Sequence, residues 1–309
     1  MKQIDQIENN SVICFLGDSI TASGLWESEI ASYLASHHRE KHLKLFTCGI
    51  GGDNSGSCLK RVYRDCLSFH PDYVVLMLGM NDINITLYRE DTDENLEQRM
   101  RNIEKHKENM TMLIDTILRN RVKLILCTPT ICGTVPNHKP EMGDFSPGLE
   151  ACAEFAREQA AKHGCMLVDF NKALWDYTNL QEPIIAEDCV HPTPYGYHIM
   201  AQVFMMQIGI KDTVDTEPYV ETNRKNEERF QLERIITSIR FCELAMQWSG
   251  LELSSMTIEE RKNWIRENAT VENASYWDPE RTGIYLQAVD YRDDYMARLV
   301  QLTNDLYYE

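Results

Sequence analysis

The sequence has no apolar run able to cross a membrane: its longest, such as Tyr73 to Met80, fall far short of the ~20 residues a spanning helix needs. It is also poor in positive charge. Thirty-one Lys and Arg face 48 Asp and Glu, for a net charge of −17. A field of that sign repels phosphate backbones and anionic lipid surfaces, so no nucleic acid and no membrane is expected as a partner. The first residues, Met1-Lys2-Gln3-Ile4-Asp5-Gln6-Ile7-Glu8, lack the basic stretch and following apolar run of a secretory signal, and the expected location is cytoplasmic. Ten cysteines are present, but no Cys-x-x-Cys pair occurs, and Cys14, Cys48, Cys127 and Cys165 fall within apolar runs. Reduced, buried thiols are expected in place of a disulfide or zinc framework. His37, His38 and His42 lie close together but among Arg39, Glu40 and Lys41. That stretch reads as a solvated face, and no metal site is expected there.

What the sequence does contain is alternation. Hydrophobic residues at 43% and charged residues at 26% are ordinary for a globular chain. Val12 to Leu16, Leu43 to Cys48, Tyr73 to Leu78, Val122 to Cys127 and Cys165 to Phe170 read as five strands, apolar enough to be buried on both faces. Between them Trp26 to Ala35, Cys58 to Leu67, Asn95 to Asn120 and Leu149 to His163 have helical spacing, and Ser146-Pro147 reads as an N-cap followed by a first-turn proline. A helix from Tyr197 to Ile208 completes the body. Strand and helix alternation predicts an α/β fold, a parallel five-stranded sheet covered by helices on both sides.

After Gly209 the chain turns polar and shows no further strand pattern. We place a boundary near residue 215, with a body over 1–215 and a helical extension over 216–309. Helices are predicted over Arg224 to Trp248, Ile258 to Asn268 and Pro279 to Tyr307, the second opened by a Thr257–Glu260 capping box. Such an extension could pack on the body, cover the site, or pair two subunits into a homo-oligomer. There is no internal repeat.

Ligands of parallel α/β sheets gather at the carboxyl ends of the strands, so the polar residues directly after each apolar run carry the chemistry. Four clusters stand there: Gly17-Asp18-Ser19-Ile20-Thr21, Gly49-Ile50-Gly51-Gly52-Asp53-Asn54, Gly79-Met80-Asn81-Asp82 and Asp188-Cys189-Val190-His191. Serine becomes nucleophilic when a base takes its proton, and a carboxylate orients that base. Asp188, three residues before His191, can reach Nδ1 of the ring and leave Nε2 for a serine on another loop. The backbone N–H of Gly52 and the side-chain amide of Asn81 can donate to a developing oxyanion. Asp18, Asp53 and Asp82 read as residues that fix their own loops.

Rival chemistries fit the same turns poorly. Asn54 stands at the third glycine position of a dinucleotide fingerprint, histidine ligands are missing beside Asp18 and Asn81 for a metallophosphoesterase, and no Gly-x-Ser-x-Gly elbow occurs. A binding module with a dead site is the remaining alternative.

The four blocks, in this order, resemble the SGNH hydrolases, also called GDSL lipases and esterases, over roughly residues 10 to 210. The resemblance implies a flavodoxin-like three-layer α/β/α fold and a serine esterase needing no cofactor. It makes Ser19 the nucleophile and Asp188 and His191 the rest of the triad, with Ser19, Gly52 and Asn81 the oxyanion donors. Thr47 replaces an Asn common before the glycine block, and Asn54-Ser55 a frequent Thr-Thr after Asp53. Many members deacetylate sugars, so the expected substrate is a small-molecule ester, an acetylated sugar, with a thioesterase or lysophospholipase as the alternative. Asp18, Trp26 and Tyr195 are the candidates to touch substrate, Trp26, Tyr195 and Tyr197 as rings for stacking on sugars. The loop from Cys132 to Pro147 is expected to shape the alcohol pocket.

Overall fold

In the computed structural model, which describes residues 7–133, 143–180, 182–217, 224–269 and 279–306, the five apolar runs form one sheet. Its strands are β1 (Val12–Gly17), β2 (Lys44–Thr47), β3 (Tyr73–Met77), β4 (Lys123–Cys127) and β5 (Met166–Val168). All pair in parallel, in the order β2-β1-β3-β4-β5. Every residue of β3 is buried, as a central strand covered on both faces requires. β1 runs one residue past the expected Leu16, whereas the other four expected strands overrun the ladder by one to three residues, because the apolar pattern continues beyond the pairing. Cys48 still donates to the Phe15 carbonyl at 2.7 Å. At β5, by contrast, Asp169 turns the chain by capping the next helix, its side chain accepting from the Lys172 N–H.

Seven α-helices lie among the described residues of the body: α1 (Ser19–Ala22), α2 (Leu25–His37), α3 (Ser55–Asp65), α4 (Asp93–Arg119), α5 (Ser146–His163), α6 (Phe170–Leu174) and α7 (Pro194–Gln207). α2 packs with α7, and α7 with α6; α3 packs with α4, and α4 with α5. The result is a three-layer α/β/α sandwich. The predicted Ser146 cap is not used. Phe145 stands at the N-cap with no side-chain cap, and Asp144, one residue earlier, accepts from the Ser146 N–H at 2.9 Å.

Trp26 corrects a second expectation. It is 0% exposed, and its ring meets Phe15 at 5.1 Å, Phe170 at 5.5 Å and Phe204 at 5.5 Å, all near-perpendicular. A ring enclosed by β1, α6 and α7 is core and is out of reach of a sugar. Tyr197, 6% exposed, is buried too.

The chain divides into two compact units, Met1–Glu221 and Thr222–Glu309; the composition change at residue 215 precedes this division. Residues 215 and 216 are held to the first unit by His198 Nε2, 2.9 Å from the Asp215 carbonyl, and by the Tyr195 hydroxyl, which donates to the Thr216 carbonyl at 3.1 Å.

The second unit contains α8 (Arg224–Trp248), α9 (Ile258–Asn268), α10 (Pro279–Ala288) and α11 (Arg292–Asp305). α8 packs against α10 and α11. Thr257 and Glu260 form the reciprocal capping box of α9. The single helix predicted from Pro279 to Tyr307 is two, broken by a 3₁₀ turn at Val289–Tyr291, and Tyr307 lies outside the described residues. The break contains neither Gly nor Pro. Lys262 of α9 pairs with Asp290 inside the turn, a tertiary contact that helical periodicity does not reveal.

Candidate active site

The strand order reverses at β1, with β2 on one side and β3 on the other, and the carboxyl ends of the strands at such a reversal are where parallel α/β sheets bind ligands. Ser19 lies there as the first residue of α1. Asp18 caps that helix, its carboxylate accepting from the Ile20 N–H at 2.9 Å. Ser19 itself is half-buried, between buried Asp18 and Ile20.

The Asp188–His191 turn explains its own sequence. Cys189 adopts a left-handed φ of 62°, and the Val190 and His191 N–H groups both donate to Asp188 Oδ1 at 2.9 Å. The other carboxylate oxygen, Oδ2, is 2.6 Å from His191 Nδ1, while Nε2 is 2.7 Å from Ser19 Oγ. Asp188 therefore fixes the backbone with one oxygen and the ring with the other. Burial opposes its ionisation, but these hydrogen bonds outweigh burial and hold its carboxyl below the ordinary range. Behind the turn, the Ala186 N–H donates to the His191 carbonyl, and Thr193 caps α7 by accepting from the Gly196 N–H.

The glycine loop extends the β1–β2 pairing. The Ile50 N–H donates to the Gly17 carbonyl at 3.1 Å, and a Cβ on Gly49 would lie 2.4 Å from the Ala22 nitrogen. Only glycine lets this loop pass so close to α1. Gly52, exposed with a φ of 76°, carries the left-handed turn after it. Asn81, after β3, donates from Nδ2 to the Asp53 carbonyl at 2.8 Å, which holds its amide beside the glycine loop.

Asp18, Asp53 and Asp82 each accept a backbone N–H, from Ile20, Asn54 and Ser55 respectively. Asp18 is 2% exposed and committed to its cap, so it is a poor candidate to touch substrate. Tyr195 is half-buried, its ring stacked 6.1 Å from His198 and its hydroxyl engaged with Thr216. Of the Cys132–Pro147 loop, residues 134–142 lie outside the described residues. Its start is tied to the histidine turn, because the Gly133 N–H donates to the Cys189 carbonyl at 2.9 Å.

Three buried features carry no signal in the strand-end motifs. Arg61 of α3, paired with Asp53 and Asp65, is one; the i, i+3, i+4, i+7 set Cys58, Arg61, Val62 and Asp65 on the buried face of α3 is where a reader could have found it. Asp82 with His106 of α4, 3.2 Å apart, is another. Burial disfavours a charged His106, yet the adjoining Asp82 carboxylate and Cys152 outweigh it and push the ring up to about 10. The third is Cys14, Cys48 and Cys66, whose sulfurs lie within 4.8 Å of one another, the one cluster of possible metal donors among the described residues. Burial and the neighbouring Cys48 and Cys66 hold the Cys14 thiol well above its ordinary range. All three are buried in the core of the body.

Asp18 has a consequence for stability. Burial, joined by the Asp53 and Asp82 carboxylates, outweighs the Ile20 N–H and raises its pKa from 3.8 to about 7. Its folded-state value exceeds its unfolded one, so the stability it contributes is complete below about pH 4 and lost as the pH rises through about 7. Asp18→Asn keeps an acceptor for Ile20 and removes the ionisation. Thermal melts across that window should fall less steeply for the variant than for the parent; parallel slopes would exclude a buried, titrating Asp18.

Comparison with known proteins identifies the family. The family model of the GDSL-like lipase/acylhydrolases matches residues 15–199. An acetylxylan esterase from Geobacillus stearothermophilus is 21% identical over 225 residues, covering 67% of this chain and 97% of that protein. The crystal structure of an acetylxylan esterase from the same organism superposes with a TM-score of 0.56 at 20% identity, covering 67% of this chain and 98% of that one. A gut microbial diltiazem-metabolizing enzyme, 16% identical, matches over 99% of this chain and 97% of its own with a TM-score of 0.78, so its fold extends through the C-terminal helices. With the family model spanning more than half of its length, this chain belongs to the GDSL-like lipase/acylhydrolase family and is an ester hydrolase.

Proposed function

We propose that the protein is a carbohydrate O-acetylesterase acting through Ser19, His191 and Asp188. The observation that carries the proposal is the chain of two short contacts, Ser19 Oγ to His191 Nε2 at 2.7 Å and His191 Nδ1 to Asp188 Oδ2 at 2.6 Å. Ser19 Oγ attacks the ester carbonyl carbon and its proton passes to Nε2; Asp188 keeps the proton on Nδ1 and stabilises the imidazolium. The Ser19 N–H, the Gly52 N–H and the second N–H of the Asn81 amide receive the oxyanion. Its collapse breaks the bond to the alcohol oxygen, which takes the proton from Nε2. Water, deprotonated by His191, then attacks the acyl-serine, and the acid leaves with Ser19 restored. Every proton in this cycle moves between Ser19, His191, water and substrate.

The choice of acetyl group and sugar alcohol is supported by the acetylxylan esterase likeness over the body of the chain. The ten free cysteines, nine of them buried, support a reducing, cytoplasmic location. A series of p-nitrophenyl esters of increasing acyl length tests the acyl side. kcat/KM should be highest for acetate and fall steeply from butyrate onward, and acetylated xylo-oligosaccharides should release acetate. A preference for long chains or for thioesters would instead make the protein a lysophospholipase or thioesterase of the same family.

A further inference from the structure

We propose that Arg61 is a positioning residue for this reaction, holding the three oxyanion donors in register from beneath. Its side chain is 3% exposed on the inner face of α3. Nη2 donates to the Gly17 carbonyl at 3.1 Å, two residues before Ser19. Nη1 donates to the Cys48 carbonyl at 2.8 Å, at the entrance to the glycine loop, and Nε to Asp53 Oδ2 at 2.6 Å, directly after Gly52. The Asp53 carbonyl in turn accepts from Asn81 Nδ2 at 2.8 Å. One guanidinium thus joins the nucleophile turn, both ends of the glycine loop and, through Asp53, the asparagine after β3. The Ile50 N–H shares the Gly17 carbonyl with it.

These acceptors explain the residue type. Three segments approach from different directions, and a planar fork with five N–H donors can serve all of them, whereas an ammonium is a single point. Asp65, with Oδ2 3.7 Å from Nη1, flanks the same cation on the helix side. Oxyanion stabilisation depends on donors fixed before the charge develops, so a slack frame is felt in turnover more than in substrate binding. A purely stabilising ion pair would be indifferent to which carbonyls it reached; here each contact falls within two residues of an oxyanion donor or at the mouth of the loop that presents one.

The role rests on the ester-hydrolase reading above, and the test keeps the two apart. Wild type, Arg61→Lys and Asp53→Asn are assayed with p-nitrophenyl acetate, with active sites counted by fluorophosphonate titration so that misfolded molecules are not included; Ser19→Ala is assayed beside them at equal protein concentration. A trifluoromethyl ketone, which forms a tetrahedral adduct with the serine, is measured as an inhibitor of the three proteins that keep Ser19. Arg61→Lys should lose on the order of 10²-fold in kcat per titrated site, with KM nearly unchanged. Its affinity for the ketone should weaken in the same proportion as kcat/KM. Asp53→Asn, which keeps its backbone carbonyl for Asn81, should show the same signature at smaller amplitude. Wild-type turnover and ketone affinity in folded Arg61→Lys, with only the melting temperature lowered, would overturn the role, as would failure of both variants to fold. Hydrolysis that survives Ser19→Ala would overturn the esterase mechanism itself.

Discussion

Ser19→Ala should abolish turnover of p-nitrophenyl acetate, lowering kcat by at least about 10⁴-fold, while leaving the protein folded. The expectation has two parts with different physical origins. Chemistry is lost because no other hydroxyl is placed 2.7 Å from His191 Nε2 among the described contacts of that ring. Water taking the place of Oγ would have to be held there without a covalent tether, and the residual rate reflects what oxyanion donors and binding alone supply. Fold is retained because α1 is organised by Asp18 and not by the serine hydroxyl: the cap runs from the Asp18 carboxylate to the Ile20 N–H. His191 also keeps its contacts with Asp188. A melting temperature close to that of the parent, together with near-zero turnover, is the expected pair of results.

Trp26→Ala should destabilise the first unit by about 3–5 kcal/mol, a large share of the 5–15 kcal/mol typical of a whole domain. Trp26 is fully buried and touches three aromatic rings that join β1 to α6 and α7. Alanine would leave a cavity that these near-perpendicular rings cannot close without leaving their own packing. Trp26→Phe should cost much less, because the indole N–H is buried without a partner among the described residues and its removal relieves an unmet desolvation cost. Denaturant unfolding of both variants provides the magnitudes. If Trp26 were a sugar platform, Trp26→Phe would raise KM for acetylated oligosaccharides; the core location predicts an unchanged KM.

The parts of the site that can be read from sequence are those where chemistry and topology coincide. Ser19, Gly52 and Asn81 each follow an apolar run by a few residues, and in a parallel sheet that position can only be the carboxyl edge. Asp188 and His191 are legible because a turn of three residues makes its own hydrogen bonds. Gly49 is legible as a glycine, though its reason, the passage of the loop against the Ala22 nitrogen, appears only in three dimensions. What stays hidden is the support underneath. Arg61 on an amphipathic helix looks like any solvated arginine until α3 is turned so that Cys58, Val62 and Asp65 face inward. His106 lies far from Asp82 in sequence and meets it only because α4 packs back against α3. Trp26 misleads for the opposite reason. It is close to the catalytic turn along the chain, but α2 carries its ring down into the core.

Fluorophosphonate labelling followed by peptide mass spectrometry tests the central claim most directly. Diisopropyl fluorophosphate should modify one residue, Ser19, on the peptide containing Phe15 to Thr21, with activity lost in proportion to the label and no label on the His191→Ala variant. Complete inactivation with Ser19 unmodified, or stoichiometric modification of a different residue, would contradict a mechanism in which Ser19 is the nucleophile and His191 its base.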